Sequence, residues 1–288
     1  MHKILEKTLL APQIYSMKVE APKMASSAKP GQFLIVIADE KGERIPLTIC
    51  DYDTEQGTIT IVIQAIGEST IKLNSFEVGD SFYSFVGPLG YPSEFIEMSD
   101  EELKDKRFVF VAGGLGAAPV YPQVKWLCEK GLEPHVIIGA KSSEYVILEE
   151  EFRAITPNVH IATDDGSQGF HGLVTALLEK IVAKGEKFDT AVAIGPMIMM
   201  KFVCLTTKKL EIPTIVSLNT IMVDGTGMCG ACRVTVDGKV RFACVEGPEF
   251  DGHKVDFDEA LRRGNMYRAV DKKTHKCNLR TEKKDGNK

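Results

Sequence analysis

The chain has 288 residues, of which 44% are hydrophobic and 26% charged, with a formal net charge of −5. These are globular proportions, which exclude a disordered or fibrous chain, and the length allows about two domains with room for a small third module. The negative balance argues against a nucleic-acid-coating surface. The longest charge-free apolar run, residues 108–121, is too short and too broken by Gly and Pro to cross a bilayer.

The opening MHKILEKTLL lacks the apolar core and cleavage site of a signal peptide, and a cytoplasmic protein is expected. Residues 1–100 read as short strands. Ile4, Leu9, Ile14 and the runs 33–37, 45–49 and 59–63 are rich in β-branched residues and are broken by Pro12, Pro22, Pro30, Gly42 and Gly57. Such spacing predicts a small antiparallel β-barrel, with a sandwich as the alternative. Beyond Asp105 the texture changes. Strand-like runs at 108–112, 135–140, 159–162 and 190–194 alternate with helical stretches, and Val120, Val124, Leu127 and Cys128 fall on one helical face. Residues 101–212 therefore read as an α/β domain with a parallel sheet.

A third module, residues 213–265, is dominated by glycine, cysteine and short strands. The segment 266–288 is a basic tail: from Arg268 onward it holds eight Lys/Arg against three Asp/Glu. It reads as a solvated tail or as a docking arm for an acidic partner.

The chain has seven cysteines, an odd number, and a reducing compartment disfavours a disulfide framework. Three of them crowd into residues 229–244. Residues 224–232 read Asp-Gly-Thr-Gly-Met-Cys-Gly-Ala-Cys, with Cys244 following. With cysteine in place of Asp224 this is the plant-type ferredoxin spacing for a 2Fe–2S cluster. A tight loop supplies three converging anionic ligands, Gly225, Gly227 and Gly230 let the backbone close around the irons, and the run 241–245, read as a strand, supplies the fourth. A zinc site completed by Asp224 or His253, and plain buried thiols, remain alternatives. Asp224 is either a ligand harder than thiolate or an aspartate that opens a glycine turn.

Gly113, Gly114 and Gly116 lie between a buried strand and an amphipathic helix, where a pyrophosphate can approach a helix N-terminus. The stretch is not a full G-x-G-x-x-G, and a glycine turn without ligand is the alternative. Residues 163–167 (Thr-Asp-Asp-Gly-Ser) and Gly195, Pro196 and Met197 follow two further strands, so three loops converge on one crevice at the strands' carboxyl ends. Asp164 and Asp165 favour NAD(H) over NADP(H), whose 2′-phosphate they repel. In the barrel, Arg44 beside Pro46, Leu47 and Thr48 suits a phosphate next to a flat ring, and Gly67, Ser69 and Thr70 offer N–H and hydroxyl groups to a pyrophosphate. Taken alone, Arg44 equally reads as a solvated surface arginine.

Together these segments resemble the ferredoxin–NADP reductase superfamily: a flavin barrel carrying R-x-P-L-[ST], then a nicotinamide-binding sheet ending in G-P-x-x-M. The added cysteine module is similar to that of electron-transfer subunits of class-B dihydroorotate dehydrogenases. Residues 44–53, 87–93 and 255–263 extend the resemblance to the small subunits of electron-bifurcating NADH-dependent reduced ferredoxin:NADP oxidoreductases, over roughly residues 1–265. The resemblance implies a 2Fe–2S cluster held by Asp224, Cys229, Cys232 and Cys244. It implies FAD contacts from Arg44, Pro46, Leu47, Thr48, Gln64, Gly67, Ser69 and Thr70, and an NAD(H) crevice lined by Gly113, Gly114, Gly116, Asp164, Gly195, Pro196 and Met197. Where the wider family often has Cys before G-P-x-x-M, this chain has Ile194. No side-chain acid–base catalyst is implied.

By the same resemblance the chain is an NAD(H)-dependent oxidoreductase subunit. It passes electrons between NAD(H), FAD and the cluster to a larger flavin and 4Fe–4S subunit in a heterodimer, through which ferredoxin and NADP(H) are reached. The alternative partners are the large subunits of dihydroorotate dehydrogenase B or sulfide dehydrogenase. Outside the enzyme class, the pattern allows a zinc-binding nucleotide sensor. No nucleic-acid or membrane partner is expected.

Overall fold

β1 (His2–Ala11) and β2 (Ile14–Glu20) form a hairpin whose turn holds Gln13 at φ 64°. The computed structural model describes residues 2–266, so the expected basic tail lies outside the described residues apart from Met266. A single turn, α1 (Pro22–Ala25), leads to β3 (Phe33–Ile37), β4 (Ile45–Asp53) and β5 (Thr58–Gln64). After α2 (Glu68–Asn74) come β6 (Ser81–Phe82) and β7 (Ser84–Leu89). The sheet order is β6-β1-β2-β5-β4-β3-β7, antiparallel throughout.

Its two edge strands, β6 and β7, are separated in the chain by Tyr83 alone, so the sheet curls until its edges nearly meet. This is the expected barrel rather than a sandwich. The β-branched runs place Ile4, Val19, Leu34, Ile59, Ile61 and Ile63 inside with no exposure, and each such side chain is worth about 1.5–3 kcal/mol when removed from water.

The second sheet follows α3 (Asp100–Leu103), whose N-cap Ser99 accepts from the Glu102 N–H while Glu102 reaches back to Ser99 N. β8 (Phe108–Gly113), α4 (Ala117–Glu129), β9 (His135–Ala140), α5 (Glu149–Ile155), β10 (Val159–Thr163) and β11 (Phe170–His171) come next. α6 (Val174–Ala183), β12 (Thr190–Ile194), α7 (Met197–Lys209) and β13 (Thr214–Ser217) complete the run.

Order β11-β10-β9-β8-β12-β13 is parallel, as strand–helix alternation requires. Alternation within β8 sends Phe108, Phe110 and Ala112 to the face covered by α4 and α5, and Val109 and Val111 to the face covered by α6 and α7. Val120, Val124 and Leu127 are fully buried on α4, as their spacing predicts. Ala11, Ile14, Cys50 and Val62 from the barrel join the same core, and Lys125 on α4 pairs with Asp51 on β4 at 2.8 Å. Barrel and sheet therefore share packing.

The last part holds the hairpin β14 (Arg233–Val236) and β15 (Lys239–Phe242), the turn α8 (Ala243–Glu246), β16 (Glu249–Asp251) and α9 (Phe257–Gly264). Asp237 and Gly238, at φ 52° and 69°, form the two-residue loop whose left-handed geometry matches the twist of a hairpin. β16 returns to pair antiparallel with β13, so the cysteine-bearing segment is stitched to the edge of the parallel sheet. Among the described residues no helix is long and apolar enough to cross a membrane.

Candidate functional site

The cysteine loop sits on the outside of the barrel. Phe33 and Ile35 of β3 form a small core with Cys232, Ala243 and Cys244, flanked by Leu89 and Phe242. Gly225, Gly227 and Gly230 have φ of 79°, 87° and 66°, the left-handed region that favours glycine. A Cβ at Gly225 would lie 3.0 Å from the Ile35 side chain, so the loop lies directly against the barrel strand. From the other side, Arg263 at the end of α9 donates through Nη2 to the Ala231 carbonyl at 3.0 Å.

Cys232 and Cys244 are buried with their sulfurs 3.2 Å apart. Cys229 is exposed, and the Ala231 N–H donates to its sulfur at 3.5 Å. Cys244 stands on the helical turn α8 rather than on a strand as expected. Glu246 draws the chain into that turn by accepting from Phe242 N at 2.7 Å, and it pairs with Arg241 at 2.7 Å.

Asp224 Oδ2 accepts from Thr226 N, Thr226 Oγ1 and Met228 N at 2.9, 2.6 and 3.1 Å. The Thr226 hydroxyl and the two backbone N–H groups hold the Asp224 carboxyl below the ordinary carboxylate range. The Cys229 thiol is lowered as well, by the N–H groups of Ala231 and Asp224, whereas burial and the Cys232 sulfur push Cys244 up to about 12.

Among the described residues no three His, Cys, Asp or Glu side chains gather tightly enough to hold one metal ion. A two-iron cluster shares its four protein ligands between two metals and is the group this donor set suits: three thiols, one carboxylate, and N–H groups already directed at sulfur.

Arg44 immediately precedes β4. Its Nε and Nη2 donate to the backbone carbonyl of Asp224 at 3.2 and 2.9 Å, so it bridges the barrel strand and the donor loop. Pro46, Leu47 and Thr48 continue β4 half-buried, and Gln64 ends β5, also half-buried. Ile66 and Ile71 close by in sequence are 67% and 46% exposed, leaving an apolar surface that a flat ring could cover. Gly67 caps α2, and a Cβ there would meet only Thr70 Oγ1, at 3.9 Å. Thr70 Oγ1 accepts from Ile66 N and Gly67 N at 3.1 and 3.0 Å, and the Ser69 hydroxyl donates to the Glu43 carboxylate. The Thr70 hydroxyl therefore braces its own loop, and Ser69 ties that loop to the segment before β4.

At the carboxyl edge of the parallel sheet, the glycine turn after β8 and the Gly195 turn after β12 are in contact. A Cβ at Gly195 would lie 3.0 Å from the Gly113 Cα, and one at Gly116 would overlap the Ile194 carbonyl. Gly114, at φ 52°, faces open space. Pro196 caps α7 and Met197 begins it. Asp164 follows β10 on the same edge, its N–H donating to Ala140 O at 3.0 Å. Asp165 Oδ1 accepts from Ser167 Oγ and N at 2.6 and 3.0 Å, which lowers its carboxyl pKa.

Three side chains escaped the sequence reading: Ser93, Gln123 and Glu249, which meet where the barrel, α4 and β16 join. Ser93 ends the segment 87–93 without a role assigned to its side chain, and Gln123 and Glu249 lie in no motif.

Residues 219–256 match the iron-sulfur cluster binding domain of dihydroorotate dehydrogenase B. A Thermotoga maritima protein described as a dihydroorotate dehydrogenase B (NAD(+)), electron transfer subunit homolog is 42% identical over 98% of this chain and 96% of its own length. The chain belongs to the dihydroorotate dehydrogenase B electron-transfer subunit family. A Clostridium beijerinckii relative, described as an uncharacterized protein in adh 3′region, is 56% identical over 100% of the chain and 96% of its own length. A chain of the solved NADH-dependent reduced ferredoxin-NADP oxidoreductase, described in terms of flavin-based electron bifurcation, superposes with a TM-score of 0.88 at 41% identity, covering 97% of this chain and 98% of that one.

Proposed function

We propose that this chain is the electron-transfer subunit of a cytoplasmic, electron-bifurcating NADH-dependent ferredoxin:NADP oxidoreductase. In this reading residues 1–100 hold FAD, 101–212 hold NAD(H) and 213–265 hold a 2Fe–2S cluster. The observation that carries it is the grip of Arg44 on the Asp224 carbonyl, because it sets the strand that suits a flavin against the loop that suits a cluster. When bound, NAD(H) and FAD would supply hydride exchange, and the flavin's capacity to take two electrons and release them singly matches a one-electron cluster.

The chain's own residues would bind and orient these groups. Arg44, Pro46, Leu47, Thr48, Gln64, Gly67, Ser69 and Thr70 would hold FAD. Gly113, Gly114, Gly116, Asp164, Gly195, Pro196 and Met197 would form the NAD(H) crevice. Asp224, Cys229, Cys232 and Cys244 would ligate the irons.

Electrons would leave beside Cys229, where Met228, Val223 and Val245 are 86%, 55% and 38% exposed. Such an apolar rim fits a larger subunit that carries flavin and 4Fe–4S clusters and completes a heterodimer. Ferredoxin and NADP(H) would be engaged by that subunit.

Anaerobic purification from the native host tests the reading. One FAD, two irons and two sulfides per chain, visible absorbance bleached by NADH, and a co-purifying flavin and 4Fe–4S subunit are expected. A chain without flavin that ignores NADH would end it. A colourless zinc protein would favour the nucleotide sensor, and a partner without 4Fe–4S clusters would favour the dihydroorotate branch.

A further inference from the structure

Glu249 opens β16, and its Oε1 accepts from Ser93 Oγ at 3.0 Å and from Gln123 Nε2 at 2.9 Å. Ser93 belongs to the loop that follows the barrel's last strand, and Gln123 lies in the middle of α4. One carboxyl thus touches all three parts of the molecule. The surroundings are close-fitting: Tyr91 N donates to Gly247 O at 2.7 Å, and a Cβ at Gly90 would lie 2.9 Å from that same oxygen.

Two oxygens at this junction are buried without a hydrogen-bond partner, Glu249 Oε2 and Gln123 Oε1. Both are acceptors, so neither satisfies the other unless one carries a hydrogen. The amide hydrogens sit on Nε2, which donates to Glu249 Oε1 and, at 3.3 Å, to Pro119 O. An ionised Glu249 leaves both oxygens stranded and buries a charge, each a costly arrangement. A proton on Oε2 makes it a donor, and the unpartnered acceptor that can take it is the carbonyl oxygen of Gln123, whose Nε2 already donates to the same carboxyl; acid and amide can then close a cyclic pair that uses both stranded oxygens.

We propose that Glu249 is a neutral carboxylic acid paired with the Gln123 amide, and that this pair is a positioning device holding the cysteine module against the barrel and α4. Burial raises its pKa to about 7, and the like charge of Glu94, on the turn after Ser93, adds to the effect. The other charged groups around the adjoining groove of about 490 Å³ are Asp251 at the end of β16, His253 beyond it, Lys208 in the last turn of α7 and Glu211 just after it. Loss of the proton converts a satisfied pair into two stranded acceptors and a buried charge, which loosens the contact of residues 247–249 with the barrel. Cys244 follows, because its turn α8 ends next to Gly247. This consequence for electron transfer rests on the reading above; the protonated pair itself does not.

The test compares wild-type holoprotein with Glu249→Gln, whose side-chain amide donates and accepts as the protonated acid does but cannot ionise. Infrared difference spectra of the wild type should show the carbonyl stretch of a protonated carboxylic acid that fades as pH rises through neutrality and is absent from the variant. NADH-driven reduction of the cluster, as the wild-type to variant ratio, should fall about tenfold between about pH 6 and pH 8. Absence of the infrared band at acidic pH would overturn the pair, and a rate ratio constant with pH would overturn its positioning role. Should NADH reduce no cluster in either protein at any pH, the electron-transfer reading fails and the infrared band alone decides whether Glu249 is protonated.

Discussion

Arg44 and Asp224 are 180 residues apart in the chain, yet the arginine's Nε and Nη2 converge on the aspartate's backbone carbonyl at 3.2 and 2.9 Å. A guanidinium presents two donors in a fixed fork, which an ammonium does not. Hydrogen bonds from a charged group are worth about 1.5–3 kcal/mol, so the loop's ordered position depends measurably on this contact. Arg44→Ala should lower both flavin and iron retained per chain after desalting, and Arg44→Lys, a single-point donor, should fall between. Wild-type flavin and iron contents in Arg44→Ala would show that neither site depends on the bridge.

Two roles can be separated at Asp224: its carboxylate organises three donors of its own loop, and in the proposed reading it is also the first ligand of the cluster. Asp224→Asn keeps an oxygen acceptor for Thr226 and Met228 but removes the anion. If the carboxylate ligates iron, Asp224→Asn should lose or alter the cluster's EPR signal as Asp224→Ala does, with FAD retained in both. Asp224→Cys should then restore a cluster with a shifted potential. An unchanged Asp224→Asn spectrum would take Asp224 out of the ligand set.

Much of this arrangement is legible in the sequence where the signal is local. The β-branched runs mark the barrel strands, Val120, Val124 and Leu127 mark the buried face of α4, and the cysteine spacing marks the donor loop. Contacts between distant segments leave no such trace. Gln123 and Glu249 are 126 residues apart and read as ordinary polar residues until β16 pairs with β13. The run 241–245 reads as a strand, yet Cys244 stands on a helical turn, because the Glu246 carboxylate accepting from Phe242 N diverts the chain. That is a side-chain effect that periodicity does not register.

Gly116 tests the nucleotide crevice. Its φ of −61° is ordinary, so any residue suits the backbone. The obstacle is steric: a Cβ would overlap the Ile194 carbonyl and lie 3.0 Å from the Gly195 Cα. Both are backbone atoms at the end of a buried strand, with no side chain to swing aside. Overpacking of this kind costs about 1–3 kcal/mol. Gly116→Ala should lower the melting temperature and raise the KM for NADH, while bound FAD is retained. Gly264→Ala, where nothing lies within 4 Å of the added atom, is the control expected to change neither. An unchanged KM would place the nicotinamide nucleotide elsewhere.

Stability against pH carries two opposing contributions. His135 and His160 stack with centroids 5.3 Å apart, and His160 Nε2 approaches His135 Nδ1 at 3.3 Å. Burial lowers the pKa of both below the ordinary 6.5, although the nearby Glu186 pulls His135 the other way. A depressed folded-state pKa means that the unfolded chain takes protons first, so this pair's contribution is lost as pH falls below about 6.5. Glu249 acts with the opposite sign. Its folded value is raised from 4.5 to about 7, so the folded state holds the extra proton between those limits. Stability from this group is highest below 4.5 and declines as pH rises to about 7, by about 3 kcal/mol at 1.36 kcal/mol per unit. Denaturant midpoints of the holoprotein at pH 5, 6, 7 and 8 separate the two. His160→Asn should flatten the acid side relative to wild type, and Glu249→Gln should gain on wild type steadily from pH 5 to 7 and then keep a constant lead. Parallel curves for wild type and Glu249→Gln would mean that the carboxyl is ionised in the folded protein throughout.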